Sequence, residues 1–423
     1  MYLKSRGLGL PPRIDRHHRV MGLVRFANGR VVRGDALVRG DVWSLDGVVV
    51  CPEALYWRAA SSDALAHDVV DCEGCIVAPG LVDIQTNGCF GVDFASPRVE
   101  ERDVRRAAAA VLRHGCTALA PTLVSSSREL YRTLIPRYAA WTKAPPAGGA
   151  AILGLHLEGP FLNEAKKGAH LAENIPSSCA VGEMAERYGS LDGVVVVTLA
   201  PELPGAPAAI ADLAKRGVAV SLGHSQATKA QGVAGVRAGA SLLTHLYNAM
   251  PAFHHRDPGL VGLLGLAEHD RRPYYSIIAD GIHADPASVA IARRAHPGGA
   301  VLVTDAMAAM GLGDGDHTLG DDVQVTVRGL RATVRGTDTL AGAVVSLDEC
   351  VRRFAEFTNC GPAAALNAAS AHPAAVLGDA TRGSLDVGRR ADVALFDDDL
   401  RPVATYVAGA KAWGRDEADK QGA

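Results

Sequence analysis

The sequence predicts an α/β fold, a parallel TIM-like (β/α)8 barrel with a small β-sandwich formed from both chain ends. Three observations predict it. Strand-like apolar runs close on residues able to bind a metal or carry a proton: GLHLE on Glu158, VAVSLGH on His224, SLLTH on His245, YYSIIADGIH on Asp280 and His283, and AVLVTD on Asp305. A parallel barrel gathers its chemistry at the C-terminal rim of its strands, which is where such residues belong. Eight strand candidates, the number that closes a barrel, alternate with helical patterns. Short β-rich pieces separated by Gly and Asp turns flank them on both sides.

In chain order, residues 1–19 read as a disordered extension. Lys4, Arg6, Arg13, Arg16 and Arg19 stand there against Asp15, Pro11 and Pro12 interrupt any helix, and organelle targeting is the alternative reading. Residues 20–76 and 383–413 form the expected β-sandwich, 77–382 the metal-dependent hydrolase barrel, and 414–423 a tail. Barrel strands are expected at 80–85, 117–122, 152–157, 194–200, 218–222, 241–245, 274–279 and 301–304, with helices at 103–114, 207–216, 229–238 and 286–295. Pro207 and Pro286 suit first helical positions, where a missing N–H costs nothing. Residues 311–335, polar, Gly-rich and alternating, predict a hairpin inserted after the last strand, and 346–359 and 362–377 predict closing helices.

A chain of 423 residues that is 48% hydrophobic can bury one large barrel and a smaller unit. A net charge of -3 argues against nucleic acid or an acidic membrane as partner. No apolar stretch reaches the roughly 18–20 residues of a membrane span, and the N-terminus lacks the apolar core of a secretory signal, so a cytoplasmic protein is expected. Eight cysteines between Cys51 and Cys360 follow no disulfide-like spacing, which predicts free thiols in a reducing compartment. Cys72 and Cys75 read as two packed thiols in a strand.

Zinc-like ions favour imidazole nitrogen and carboxylate oxygen, and a catalytic site leaves one position for water. Glu158, His224 and His245 supply that set, and separations of 66 and 21 residues place them on different strands that only a barrel would gather. Taken singly, each has an ordinary alternative as a strand-end acid or a hydrogen-bonded core histidine. A bound ion lowers the pKa of its water towards neutrality. Asp305 is the candidate that accepts the proton and returns it to a leaving amine.

The motifs GLHLEGPFLN, KKGAH, VTLAPE, SLGHS, THLYNAMP, HHRDPG, ADGIH and LVTDA occur in this order. On them the chain resembles, from about Val24 to Trp413, the N-acetylglucosamine-6-phosphate deacetylases of the amidohydrolase superfamily, and HHRDPG and GLGDGDHTLG look like their eukaryotic-type branch. The resemblance implies one divalent ion per subunit on Glu158, His224 and His245: zinc first, with iron, cobalt or manganese also accepted. It implies Asp305 as general acid/base and His170 as the group that helps polarise the acetyl carbonyl. Substrate contacts are implied for Ala169, Asn248, Ala249, Arg256 and His283, and for the backbone around Leu340, Ala341 and Gly342. Arg256 would reach into a neighbouring subunit's site, which implies a homodimer. The implied reaction converts N-acetyl-D-glucosamine 6-phosphate to D-glucosamine 6-phosphate and acetate. The alternatives are N-acetylgalactosamine 6-phosphate, another cyclic amide, or an inactive scaffold of the same fold.

The sequence departs from related patterns twice. Many amidohydrolases carry HxH on the first strand and hold a second metal there, whereas this chain has Gln85 and Asn87, and amides are poor ligands for a zinc-like ion. One metal is therefore expected. At 340–347 the chain reads LAGAVVSL where relatives commonly show an LSGS-like run, so Ala341 and Ala343 are expected to remove two hydroxyls near the sugar.

Overall fold

The apolar runs that the sequence marks become the staves of a barrel. The computed structural model describes residues 22–53, 68–143, 148–267, 272–319 and 323–417. Its parallel strands are β1 (Leu81–Thr86), β2 (Cys116–Leu123), β3 (Leu155–Glu158), β4 (Val194–Leu199), β5 (Ala219–Leu222), β6 (Leu242–Leu243), β7 (Tyr274–Ile277) and β8 (Ala300–Leu302), each pairing with the next. All eight expected strands are present. Every residue of β1, β2 and β3 is buried, because helices cover the outer face while side chains fill the interior.

Closure between β1 and β8 is different in kind. The two share no ladder among the described residues, and the seam is bridged at its C-terminal end instead. Asp305 donates its N–H to the Gln85 carbonyl at 2.9 Å, and Thr304 donates Oγ1–H to Asp83 Oδ2 at 2.6 Å. The Asp83 carboxyl is thereby a structural clamp, and burial pushes its pKa up to about 7 despite these bonds.

The helices at 229–238 and 286–295 stand where expected. The one at 103–114 starts at Glu101 and tightens into a 3-10 turn at Val111–His114. The single helix expected over 362–377 is two, Pro362–Ala368 and Ala371–Val376. Pro373 has no N–H for the Ala369 carbonyl and its ring crowds that turn, which breaks the run. Two further helices, Arg128–Trp141 and Val181–Tyr188, were not among the sequence expectations; Pro136 lies inside the first and masks its periodicity. Among the described residues no helix is long and apolar enough to cross a membrane.

The chain ends meet in one eight-stranded sheet, where Val393–Phe396 pairs antiparallel with Ile76–Pro79. It packs its own cluster of Phe26, Val31, Val77, Val393 and Tyr406, with Phe26 edge-on to Tyr406 at 4.9 Å. Ile76–Pro79 runs directly into β1, so this sheet anchors the first stave. Cys72 and Cys75 lie at a turn rather than in a strand: Glu73 and Gly74 are both left-handed, and the Cys75 N–H closes on the Cys72 carbonyl at 2.7 Å. All eight cysteines are unpaired. The inserted hairpin is a four-stranded meander that takes in Leu340–Ala343 as its last strand. The expectation for residues 1–19 lies outside the described residues, as do 418–423 of the expected tail.

Asp83 binds its proton more tightly folded than unfolded, so it costs stability as pH rises from the ordinary carboxyl value of about 4 to about 7. Asp83→Asn keeps an acceptor for the Thr304 N–H and removes that loss. The melting temperature of the variant is expected to fall less than wild type's across this window, measured by calorimetry at several pH values.

Candidate metal centre

β3 ends on Glu158 itself, whereas β5, β6 and β8 stop short of His224, His245 and Asp305. Those three residues adopt left-handed backbone, with φ of 47°, 28° and 47°. A non-glycine residue held there costs roughly 1–3 kcal/mol, and such strain collects where a side chain must be aimed. The result is convergence at the barrel mouth.

His224 Nε2 lies 3.2 Å and His245 Nε2 3.0 Å from Glu158 Oε1, and the two imidazole nitrogens lie 3.0 Å apart. Glu158, His224 and His245 are 3%, 5% and 4% exposed. Three donor atoms on a triangle of this size fit three corners of a tetrahedral site, whose edges are about 3.3 Å for bonds of about 2.0 Å. Tautomers support the same reading. His224 donates Nδ1–H to the Lys166 carbonyl at 2.8 Å, so in the neutral ring Nε2 carries a lone pair and has no proton to give Glu158. A cation between them resolves that clash. These residues could therefore hold a divalent metal ion, and the carboxylate suits that: burial alone would raise Glu158, but the adjacent His224 and His245 rings hold it well below the usual range.

Gln85 donates Nε2–H to Glu158 Oε1 at 2.9 Å, and Asn87 donates Nδ2–H to Asp305 Oδ1 at 2.7 Å. The two amides act as donors to the cluster's carboxylates. Desolvation and, second, the Glu158 charge push the Asp305 carboxyl up to about 7, and a cation on Glu158 offsets the second cause.

His170 joins this group, its ring 4.6 Å from that of His224. Its Nδ1 accepts the Ser125 N–H at 3.1 Å and lies 2.9 Å from Ser125 Oγ, which leaves Nε2–H as the free donor. Burial pulls its pKa down to about 4, so it is a neutral N–H donor. Ligand atoms of Glu158, His170 and His224, and of Glu158, His245 and Asp305, lie within 4.8 Å of one another.

The remaining expected residues are placed less uniformly. Asn248 and the left-handed Ala249 are half-buried just beyond His245, and the Ala249 carbonyl accepts the Ser225 N–H at 3.1 Å. His283 is half-buried and held by Asp280 at 2.6 Å. Ala169 is exposed. Leu340 is 39% exposed, and its strand is tied to the Asp305 segment where Met307 donates its N–H to the Ala343 carbonyl at 2.9 Å. Ala343 itself is buried in the core, so a hydroxyl there would face packed side chains, and the expectation of a missing sugar-facing hydroxyl is corrected at that position; Ala341 is half-buried. Arg256 lies on an exposed loop.

Ser125 stands in none of the sequence motifs, while Lys166 of KKGAH and Glu202 of VTLAPE stand in motifs that assign them no role; Ser125 and Lys166 act largely through main-chain atoms and leave no side-chain signature. Glu202 accepts from Asn163 Nδ2, Ser225 Oγ and the Gln226 N–H at 2.6–2.9 Å, locking the loop that carries His224.

Residues 76–413 match the amidohydrolase family. The chain is 45% identical over 405 residues to a Bos taurus protein named N-acetylglucosamine-6-phosphate deacetylase, covering 94% of this chain and 97% of that one. An Escherichia coli O157:H7 protein named N-acetylgalactosamine-6-phosphate deacetylase is 36% identical over 357 residues, covering 84% of this chain and 92% of its own. A variant of N-acetyl-D-glucosamine-6-phosphate deacetylase from Mycobacterium smegmatis, solved in complex with N-acetyl-D-glucosamine-6-phosphate, matches with a TM-score of 0.77 at 32% identity, covering 92% of this chain and 99% of that chain.

His245→Ala is expected to lower bound divalent metal from about one ion per chain to well under half, read by metal analysis after dialysis. Undiminished metal would remove His245 from the donor set.

Proposed function

The chain belongs to the amidohydrolase family, and from that premise we propose that it hydrolyses N-acetyl-D-glucosamine 6-phosphate to D-glucosamine 6-phosphate and acetate. The observation that carries the chemistry is the donor triangle of Glu158, His224 and His245 with Asp305 and His170 beside it. The near full-length similarity to deacetylases of that name supports the substrate.

Zinc is the ion assigned first, because two imidazoles and one carboxylate leave one open tetrahedral position; iron, cobalt or manganese suit the same donors. When bound, it supplies Lewis-acid activation of the attacking water and of the acetyl carbonyl. Asp305 takes the water's proton and delivers it to the amine nitrogen as the C–N bond breaks. Asn87 occupies Asp305 Oδ1, so Oδ2 is the oxygen that carries the proton. His170 donates Nε2–H to the oxyanion that develops on the carbonyl. Asn248, Ala249 and His283 hold the phosphate, and Ala169 with Leu340, Ala341 and Gly342 wall the sugar. Gly342 suits that edge, since its φ of 135° disfavours any side chain.

Arg256 completes the phosphate site of a second subunit in a homodimer. In support, Phe253 on the same loop is 64% exposed, an apolar side chain suited to a subunit contact. The unpaired cysteines support a reducing, cytoplasmic setting.

Metal-loaded protein is expected to release acetate from N-acetylglucosamine 6-phosphate with about one ion per chain, and faster than from the galactosamine epimer. Metal-loaded protein that releases none rejects the substrate. Asp305→Asn should retain metal and lose about 10²–10⁴-fold in kcat. Arg256→Ala should raise KM for the phosphosugar without changing metal content, and a fully active monomer in light scattering would refute its role across the interface.

A further inference from the structure

We propose that Asp280 is a positioning residue that sets selectivity for the phosphorylated sugar, by making His283 a hydrogen-bond donor at Nε2 only when its ring is a cation. The inference rests on the reading of His283 as a phosphate contact and adds the residue that controls its charge. Asp280 follows β7 and is 1% exposed. Its Oδ1 accepts the backbone N–H groups of Ile282 and His283, both at 2.8 Å, and its Oδ2 takes His283 Nδ1 at 2.6 Å. Gly281, left-handed at φ 73°, lets the chain fold back over the carboxylate. Nothing in the proton transfers of the reaction uses this buried charge, and a buried carboxylate persists only where its partners compensate desolvation.

The consequence lies in the tautomer. With Nδ1–H committed to Asp280, a neutral His283 offers only a lone pair at Nε2, and Nε2 becomes a donor only when the ring is doubly protonated. The His283 side chain is 17% exposed, so the ring is not sealed from ligands. Burial works against the cation, but the Asp280 bond and charge outweigh it and, with Asp305 also favouring and His245 opposing protonation, leave His283 raised. Arg353 is the other charge at this turn, its Nη1 3.6 Å from where a Cβ on Gly281 would sit. An imidazolium N–H paired with a phosphate monoester dianion makes a charge-assisted bond about twice as strong as a neutral one. A sugar with a free 6-hydroxyl gains little from it.

Asp280→Asn tests this because its orientation is dictated. The two backbone N–H groups require an acceptor at Oδ1, which turns the amide NH2 towards His283 Nδ1. The ring then accepts there, keeps Nε2–H, and resists the second proton. Donor and shape survive while the cation is lost. For Asp280→Asn, KM for N-acetylglucosamine 6-phosphate is expected to rise at least tenfold while kcat falls less than threefold. The preference for the phosphorylated over the unphosphorylated sugar should contract at least fivefold. Calorimetric binding of glucosamine 6-phosphate should weaken by a similar factor as KM. His283→Gln should reproduce the loss of preference, and adding Asp280→Asn to it should cost less than twofold more. Equal losses on both sugars, additive losses in the double variant, or an unchanged KM would overturn the role of Asp280. Wild-type protein that releases no acetate from the phosphosugar would instead reject the proposed activity.

Discussion

A charged oxygen buried at the mouth of the barrel governs the arrangement around it. Glu158 ends β3 almost fully out of water, and an ionised carboxylate in that position costs several kcal/mol unless it is compensated. Gln85, His224 and His245, each from a different stave, all point at the same Oε1. Asp305 holds its proton more tightly than an ordinary aspartate, first because it too is buried and second because the negative charge fixed on Glu158 makes another one nearby harder to form. One carboxylate is kept charged and the other is pushed towards its protonated form, a division set by environment rather than by residue type.

That arrangement requires aiming as well as burial. The left-handed residues at the ends of β5, β6 and β8 swing the side chains inwards, and the loops behind them are held by atoms that never touch the centre. The Lys166 carbonyl orients His224, Ser125 orients His170, and Glu202 ties the His224 loop to the loop after β3. Distances at the centre are thus settled by second contacts, as in metal sites where the far nitrogen of a histidine decides the near one.

Much of this was legible before any coordinates. Strands buried on both faces read as continuous apolar runs, so the staves and the residues that end them stood out. Helices were harder where proline intervened: Pro136 hid one and Pro373 split another. The parts of the centre that escaped were those made by main-chain atoms, and those where residue type was read without direction. Gln85 and Asn87 were recognisable as poor ligands, but their N–H groups facing two carboxylates depend on the approach of β1 to β3 and β8. Ala343 was misread for the same reason, since its place on a strand did not reveal which face was packed.

The seam between β1 and β8 has a consequence for how the protein responds to heat. Ladder hydrogen bonds join every other pair of neighbouring staves, while here a carboxyl-hydroxyl clamp and main-chain bonds from Asp305, Asn87 and Gly88 beyond the strand ends do that work. Cooperative units with fewer bonds open at lower free energy than the rest of a fold. Asp305 therefore sits on the joint of the barrel that no ladder closes, and thermal inactivation would begin as a loosening of that joint while Glu158, His224 and His245, on the zipped side, still hold together.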